Sequence, residues 1–149
     1  MPLTLYLDTF VVSALRDDRT PERQTMSREF WDRLNEFSVF TSTVLTDEIA
    51  LTPDADRRRE LLELVSRVRV VSLTTEIGEL AGRYVALGVF APADMNDSLH
   101  VAAAVLGGAD ILVSWNFRHL VNRRRRGLIN SINAQLGHRS IEVLSPPEV

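Results

Sequence analysis

The stretch APADMNDSLHVAAAVLGGADILVSWN, residues 91–116, decides the fold of this chain. Two carboxylates, Asp94 and Asp97, open it and precede small and apolar residues that predict a helix over 99–106. The glycine pair 107–108 should end this helix, because glycine adopts the left-handed backbone conformation at a helix C-terminus at little cost. The stretch therefore places acidic side chains near a helix N-terminus.

A short buried strand is predicted over 111–114, and Asn116 lies just beyond its end. In open α/β sheets, ligands bind at the edge formed by the carboxyl ends of the strands. We therefore expect functional side chains where this strand ends.

The first strand, 3–7, is apolar at nearly every position and ends in Asp8. Such continuous hydrophobicity is typical of parallel strands that are covered on both faces. Further strands are predicted over 38–41, 68–73 and 141–144, the last one at an edge of the sheet. The predicted fold class is α/β: one three-layer α/β/α domain over residues 1–149, with a central, mainly parallel sheet of about four or five strands.

Helices are predicted where apolar residues recur at helical spacing between these strands. The pattern gives a short helix that starts at Thr9 and longer helices over 20–37, 43–53, 54–67, 76–88 and 122–137. Candidate N-terminal capping residues are Thr20, Ser42 or Thr43, and Asn122, since their side chains accept hydrogen bonds from free helix amides.

Composition excludes several classes of protein. The 149 residues include no cysteine, which excludes thiolate zinc sites, thiol catalysis and disulfides. All 17 basic residues are arginine, and the absence of lysine excludes a Gly-Lys-Ser/Thr phosphate loop and Schiff-base chemistry. It also argues against aspartyl-phosphate receivers and haloacid-dehalogenase-type phosphatases, which use a lysine. No basic leader and no apolar run of about 20 residues is present, so we expect a cytoplasmic protein.

Four polar side chains, Asp8, Glu48, Asp97 and Asn116, follow predicted strands or lie in the helices after them. In a parallel sheet these positions lie on one rim and can converge. Clustered carboxylates repel unless a cation neutralises them or one takes up a proton. Oxygen ligands without cysteine suit Mg²⁺ or Mn²⁺, which can activate water and neutralise charge on a phosphodiester.

Each acid also has a structural interpretation. Asp97 would occupy the third position of a helix capped by Asp94, where a carboxylate complements the free amides. Asp8 could cap the helix that starts at Thr9, and Glu48 could be an exposed helix residue. These alternatives stay open from the residues alone.

The segments YLDTFVVSAL, TDEIA, DSLHVAAA and ADILVSWNFRHLVN, in this order, resemble the PIN-domain nuclease family, and most of all its toxin-like (VapC-like) branch from toxin–antitoxin modules. The resemblance spans nearly the whole chain. It implies a metal-dependent endoribonuclease that cleaves single-stranded RNA with metal-activated water. It also implies that Asp8, Glu48 and Asp97 are the family's first three acids, and that the partners are a cognate antitoxin and a second copy in a homodimer.

Asn116 departs from the family pattern, in which many members carry an acid after the fourth strand. Its amide oxygen can still hold a water, but it contributes no charge. This puts a second metal ion in doubt more than the first. Asp110 precedes the strand and should lie at the opposite end, so it cannot easily replace the missing acid.

Substrate contacts are predicted for Ser114, for His100, and for the run Arg123, Arg124, Arg125 and Arg126. Four cations in the first turn of a helix oppose its dipole, which favours an anionic partner such as RNA phosphate over a role in helix stability. A packed core histidine, an ordinary strand-end hydroxyl and a solvated charge run are the respective alternatives. Trp115 is expected to pack at the core or the rim, and His119 to be a turn residue.

The sequence thus predicts an Mg²⁺- or Mn²⁺-dependent endoribonuclease whose catalytic residues are Asp8, Glu48, Asp97 and Asn116, the first three as metal ligands. Two alternatives remain. One is a catalytically decayed PIN-like module that binds RNA or protein, which Asn116 favours. The other is a metal-dependent DNase, which shares the same chemistry.

Overall fold

A computed structural model describes residues 2–149 of the protein. Its centre is a sheet of five parallel strands in the order β3-β2-β1-β4-β5. The strands are β1 (Thr4–Leu7), β2 (Ser38–Ser42), β3 (Arg69–Val71), β4 (Ile111–Val113) and β5 (Glu142–Leu144). This confirms the predicted fold class. The first strand lies in the middle, so the residue that follows it lies at the centre of the carboxyl rim.

Within the described residues, seven α-helices connect or flank the strands: α1 (Thr9–Ala14), α2 (Pro21–Trp31), α3 (Thr43–Ala50), α4 (Ala55–Val65), α5 (Thr75–Ala86), α6 (Met95–Leu106) and α7 (Arg123–Gln135). Three short 3₁₀ helices cover Leu34–Glu36, Pro92–Asp94 and Pro146–Glu148. Within residues 2–149, no helix has the length and hydropathy that crossing a bilayer requires.

The core has two parts, one on each face of the sheet. Leu5 and Leu7 of β1 pack with apolar residues of α1 to α4, whereas Tyr6 between them packs with α5, α6 and α7. All three side chains are fully buried. The continuous apolar run of the first strand therefore has the predicted cause, because both faces of the sheet are covered.

The helix predicted over 20–37 is shorter than its periodicity indicates. α2 ends at Trp31, where the amide of Arg33 bonds to the carbonyl of Phe30 in a 3₁₀ step, and a separate 3₁₀ helix follows. Leu34 and Phe37 still pack on the same core cluster. Their helical spacing arises because they pack on the same core cluster as α2, although the helix has ended and the chain turns there to enter β2 at Ser38.

Other predicted bounds also shift. α6 begins at Met95, four residues before the predicted start, and β3 covers only 69–71 of the predicted 68–73. β5 is an edge strand, as predicted, and pairs in parallel with β4.

The two glycines after α6 have different structural roles. Gly108 has φ +79° and closes the helix, since its amide bonds to Val105 and that of Ala109 bonds to Ala104. Gly107 is right-handed, but a Cβ there would lie 2.5 Å from the ring of Phe40. The left-handed conformation expected of both glycines therefore applies only to Gly108, and Gly107 is required by close packing.

Candidate metal centre and active site

Asp8 follows β1 directly and lies at the bottom of the rim, only 1% exposed. One carboxylate oxygen accepts a hydrogen bond from the amide of Val11 at 3.3 Å, which caps α1. The other accepts a hydrogen bond from the hydroxyl of Ser114 at 2.5 Å. The capping interpretation of Asp8 is therefore correct, and it is compatible with a site role because a carboxylate oxygen has more than one lone pair.

The pKa of Asp8 is raised to about 6. Burial is the main cause, since it disfavours the charged form, and the imidazole of His100 and the hydrogen bond from Ser114 offset part of the effect. Near neutral pH, ionisation of this carboxylate lowers the free energy of unfolding, and a bound cation would restore it.

Glu48 lies in α3 and is held from two sides. Its Oε1 atom accepts hydrogen bonds from the hydroxyl of Thr9 and from Nε2 of His100, both at 2.7 Å. Burial would raise the pKa of Glu48, but the bonds from His100, Thr9 and Asn96 outweigh it and hold the pKa below its ordinary value. Glu48 is therefore an ordered carboxylate at the rim rather than a freely exposed helix residue.

His100 is 2% exposed and connects Glu48 to the core. Its Nδ1 atom lies 2.7 Å from the hydroxyl of Tyr6, which lies 2.7 Å from the hydroxyl of Ser42. Because an ionised carboxylate only accepts hydrogen bonds, Nε2 of His100 must carry a hydrogen. Both ring nitrogens are thus engaged below the rim, which matches the core-histidine alternative.

Asp97 occupies the first turn of α6 and is partly buried. Its pKa is raised, chiefly by burial and less by the charges of Asp94 and Glu48, while His100 and His119 act in the opposite direction. The charge of Asp97 also raises the pKa of Asp8, and His100 lowers the pKa of all three acids. Glu48 bonds to Thr9, which follows Asp8, and to His100, three residues after Asp97, so these hydrogen bonds connect the elements that carry the three acids.

A second arrangement at the same rim was not predicted as a site. Asp94, Asp97 and His119 each offer a ligand atom, and the three atoms lie within 4.8 Å of one another. Nδ1 of His119 is 3.3 Å from Asp94 and 3.7 Å from Asp97, and this buried nitrogen has no hydrogen-bond partner within residues 2–149. Asp94 makes no capping hydrogen bond, so its carboxylate also faces this group.

Asn116 positions His119 in this arrangement. Its side-chain oxygen accepts a hydrogen bond from the amide of His119 at 2.9 Å, and its own amide donates to the hydroxyl of Ser114 at 2.8 Å. The sequence predicts a turn at His119, as observed, and Asn116 three residues earlier supports it because Asn favours such turns. Nothing in the sequence indicates that this turn packs against α6.

The predicted substrate contacts lie in different surroundings. Ser114 is fully buried against Asp8, and His100 is bonded as described above. The run Arg123, Arg124, Arg125 and Arg126 opens α7, which Asn122 caps as predicted. Arg123 and Arg124 are exposed, whereas Arg125 packs over Phe90 and Arg126 donates to the carbonyl of Val143.

Asp110 lies at the opposite end of the sheet, as expected. It accepts a hydrogen bond from the amide of Thr4 at 2.8 Å and pairs with Arg139 at 3.1 Å. It therefore cannot substitute for an acid at the rim.

The donor set fits a divalent cation. Two carboxylates, Asp94 and Asp97, and the unpartnered Nδ1 of His119 lie within 4.8 Å of one another within residues 2–149. Carboxylate oxygens are the ligands of Mg²⁺ and Mn²⁺, and an imidazole suits Mn²⁺ better than Mg²⁺.

The PIN domain family profile matches residues 5–143, which is most of the chain. Among solved structures, VapBC-1 from nontypeable Haemophilus influenzae is 14% identical, with a TM-score of 0.63 and coverage of 97% of this chain and 99% of that one. VapBC2 from Rickettsia felis, bound to a promoter DNA fragment, is 12% identical, with a TM-score of 0.57 and coverage of 96% and 98%. No curated protein matches the sequence. At these identities the structural likeness concerns the fold.

Proposed function

This chain belongs to the PIN-domain family, and on that premise we propose that it is an Mg²⁺- or Mn²⁺-dependent endoribonuclease, the toxin of a toxin–antitoxin module. The observation that carries the proposal is the position of Glu48 beside the elements that carry Asp8 and Asp97. Glu48 accepts hydrogen bonds from Thr9, which follows Asp8, and from His100, which lies on α6 with Asp97. These acids come from three separate elements, so their proximity is a property of the fold and not of local sequence.

In this proposal, Asp8 and Asp97 hold the ion directly, and Glu48 holds it directly or through water. Asp94 and His119 supply further ligands beside Asp97. They take the place of the acid that many family members carry where this chain has Asn116. A divalent ion bound there would neutralise charge on the phosphodiester and activate water.

The protein's own groups fix the position of these ligands. Val11 and Ser114 orient the carboxylate of Asp8, and Thr9 and His100 orient that of Glu48. Such hydrogen bonds restrict the motion of the two carboxylates before metal and substrate bind, so less conformational entropy is lost on binding. Asn116 contributes by fixing the turn that carries His119.

The first test replaces single acids. Asp8→Asn and Asp97→Asn should each lower Mn²⁺-dependent cleavage of single-stranded RNA by more than a hundredfold, while circular dichroism shows an unchanged fold. Asp110→Asn, at the far end of the sheet, is the matched control and should cleave at the parent rate. Full activity in both rim variants would contradict the proposal.

The toxin assignment draws on the similar structures, which are VapBC complexes. We accordingly propose a cognate antitoxin, a homodimer and action in the cytoplasm. Induced expression of the parent chain should arrest bacterial growth, and expression of Asp8→Asn should not. Equal growth with both chains would argue against a toxin even if the nuclease activity is present.

The second candidate is a decayed module that binds RNA or protein. The observation in its favour is that two of the acids already have hydrogen-bond donors within the protein, Ser114 for Asp8 and both Thr9 and His100 for Glu48. Titration with Mg²⁺ or Mn²⁺ separates the two, because a decayed site gives no heat of binding at millimolar ion. A DNase with the same metal centre is distinguished by cleavage of RNA and DNA at matched salt.

A further inference from the structure

The exposed aromatic side chains are confined to the rim. The chain has six phenylalanines, two tryptophans and two tyrosines, and within residues 2–149 only two of these rings are more than a third exposed. They are Phe10, 54% exposed, and Phe117, 46% exposed. Phe10 is two residues from Asp8, and Phe117 follows Asn116. A ring left in water forfeits the stabilisation that burial gives, and these two rings lie beside the acids, so they are candidates for contact with a ligand.

Phe117 differs from Phe10 in having a cation and a groove beside it. The guanidinium of Arg23 lies 4.8 Å from the ring centre of Trp115 and 5.8 Å from that of Phe117, and the two rings are 6.1 Å apart. Arg23 and Trp115 also line a groove of about 510 Å³, together with Thr20, Pro21, Glu22 and Met26. This volume lies within the range of small-molecule sites, about 300–1,000 Å³.

We propose that Phe117, Arg23 and this groove form a subsite for one unpaired nucleobase of the substrate RNA, with Arg23 contacting the attached phosphate. The inference rests on the proposed nuclease function. An aromatic face accepts any base by stacking, and a neighbouring arginine adds attraction to the phosphate and to the ring.

The position of the subsite agrees with this occupant. Ser114, which bonds to Asp8, is three residues from Phe117, and three residues span at most about 11 Å of chain. A nucleotide in the groove therefore lies close to the one whose phosphate reaches the acids. α2, whose first turn forms the other wall, is held to the segment after β4 by the hydrogen bond from Trp115 to Ser27.

A protein segment fits this surface less well. A stable protein interface covers about 800 Å² on each partner and has several apolar anchors. Within residues 2–149, Phe117 is the one large exposed apolar side chain next to this groove. Arg118, which follows it, and Glu22, which lines the groove, are exposed and charged. One ring beside one cation matches a nucleotide better than it matches a helix.

The experiment measures RNA binding in an Asp8→Asn background with EDTA, so that no cleavage occurs. The probes are a fluorescently labelled 12-nucleotide single-stranded RNA and the same ribose-phosphate chain without bases. We expect Phe117→Ala to weaken binding of the intact RNA about tenfold, within the range for one stacked base, and to leave binding of the abasic chain unchanged. Phe117→Tyr should retain affinity, and Leu87→Ala, a control of similar exposure at 49%, should have no effect.

Three results would overturn the subsite: no RNA affinity in the Asp8→Asn parent, equal affinity after Phe117→Ala, or equal weakening for both probes. If Phe117→Ala instead lowers only the affinity of a cognate antitoxin, the groove is a protein site. The nuclease proposal is judged separately from the Asp8 and Asp97 cleavage assay. Base-dependent binding without Mn²⁺-dependent cleavage would refute the nuclease and leave the subsite standing.

Discussion

His100 shows how one buried residue organises the acids at the rim. It bonds to Glu48 on one side and to Tyr6 on the other, and Tyr6 continues the chain of hydrogen bonds to Ser42. Burial raises the pKa of Tyr6, so this hydroxyl stays protonated. His100 is therefore a positioning residue for Glu48 and is itself fixed by the core.

His100→Leu should weaken Mn²⁺ binding by about 10–100-fold, the usual effect of removing a group that orients a metal ligand. His100→Gln keeps a donor for Glu48 and should stay close to the parent. Calorimetric Mn²⁺ titrations, with thermal unfolding of the metal-free proteins as the stability control, check this. Equal weakening in both variants would mean that His100 acts through something other than this hydrogen bond.

The raised pKa of Asp8 has a consequence for stability. Between about pH 4 and 6 the folded protein binds a proton that the unfolded chain has lost, so the free energy of unfolding falls as pH rises through this window. Above pH 6 the loss is complete, at about 3 kcal/mol for a shift of about two pKa units. The effect belongs to the metal-free protein.

Asp8→Asn should therefore be more stable than the parent at pH 7.5 by up to about 3 kcal/mol, and similar to it at pH 4. Asparagine is also a good helix N-cap, so α1 should keep its start. Urea unfolding in EDTA at both pH values tests this. A variant that is less stable than the parent at pH 7.5 would show that ionised Asp8 does not destabilise the metal-free protein.

At the scale of single elements, the end of α6 shows which features local sequence can predict. Two adjacent glycines after a run of small residues predict the helix end, and the observed hydrogen bonds at Gly108 agree. The separate role of Gly107 depends on Phe40, 67 positions earlier, and no local pattern contains it.

Gly107→Ala should destabilise the fold by about 1–3 kcal/mol, because the new methyl group would overlap the buried ring of Phe40 and the carbonyl of Ala103. Gly78→Ala in α5 is the matched control. A Cβ at Gly78 has nothing within 4 Å, so the change should stabilise the helix by about 1 kcal/mol. Chemical denaturation of both variants measures the difference, and equal effects would contradict the packing argument.

At the scale of the whole molecule, the sequence predicts the sheet, the two covered faces and the rim that carries the acids. The hydrophobic pattern is continuous in the strands and periodic in the helices, and a parallel sheet then leaves little choice for where strand ends lie. The approach of His119 to Asp94 and Asp97 could not be predicted. It depends on how a turn after β4 packs against the start of α6, which is a tertiary contact between residues about 25 positions apart.

A bound ion should stabilise the folded molecule as a whole, since the proposed ligands come from α3, the start of α6, the end of β1 and the turn after β4. At an ion concentration 100 times its dissociation constant, the stabilisation is about 2.7 kcal/mol. Thermal unfolding with and without millimolar Mn²⁺ should show it for the parent, less for Asp97→Asn, and fully for Asp110→Asn. An unchanged melting temperature in the parent would speak for the decayed module.

The hydroxyl of Ser114 donates to Asp8 and accepts from the amide of Asn116, whose side chain in turn fixes the backbone of His119. The hydroxyl oxygen of Ser114 therefore connects Asp8 to the turn that carries His119. We therefore expect a ligand that displaces the carboxylate of Asp8 to displace the turn that carries His119 as well, through these three hydrogen bonds.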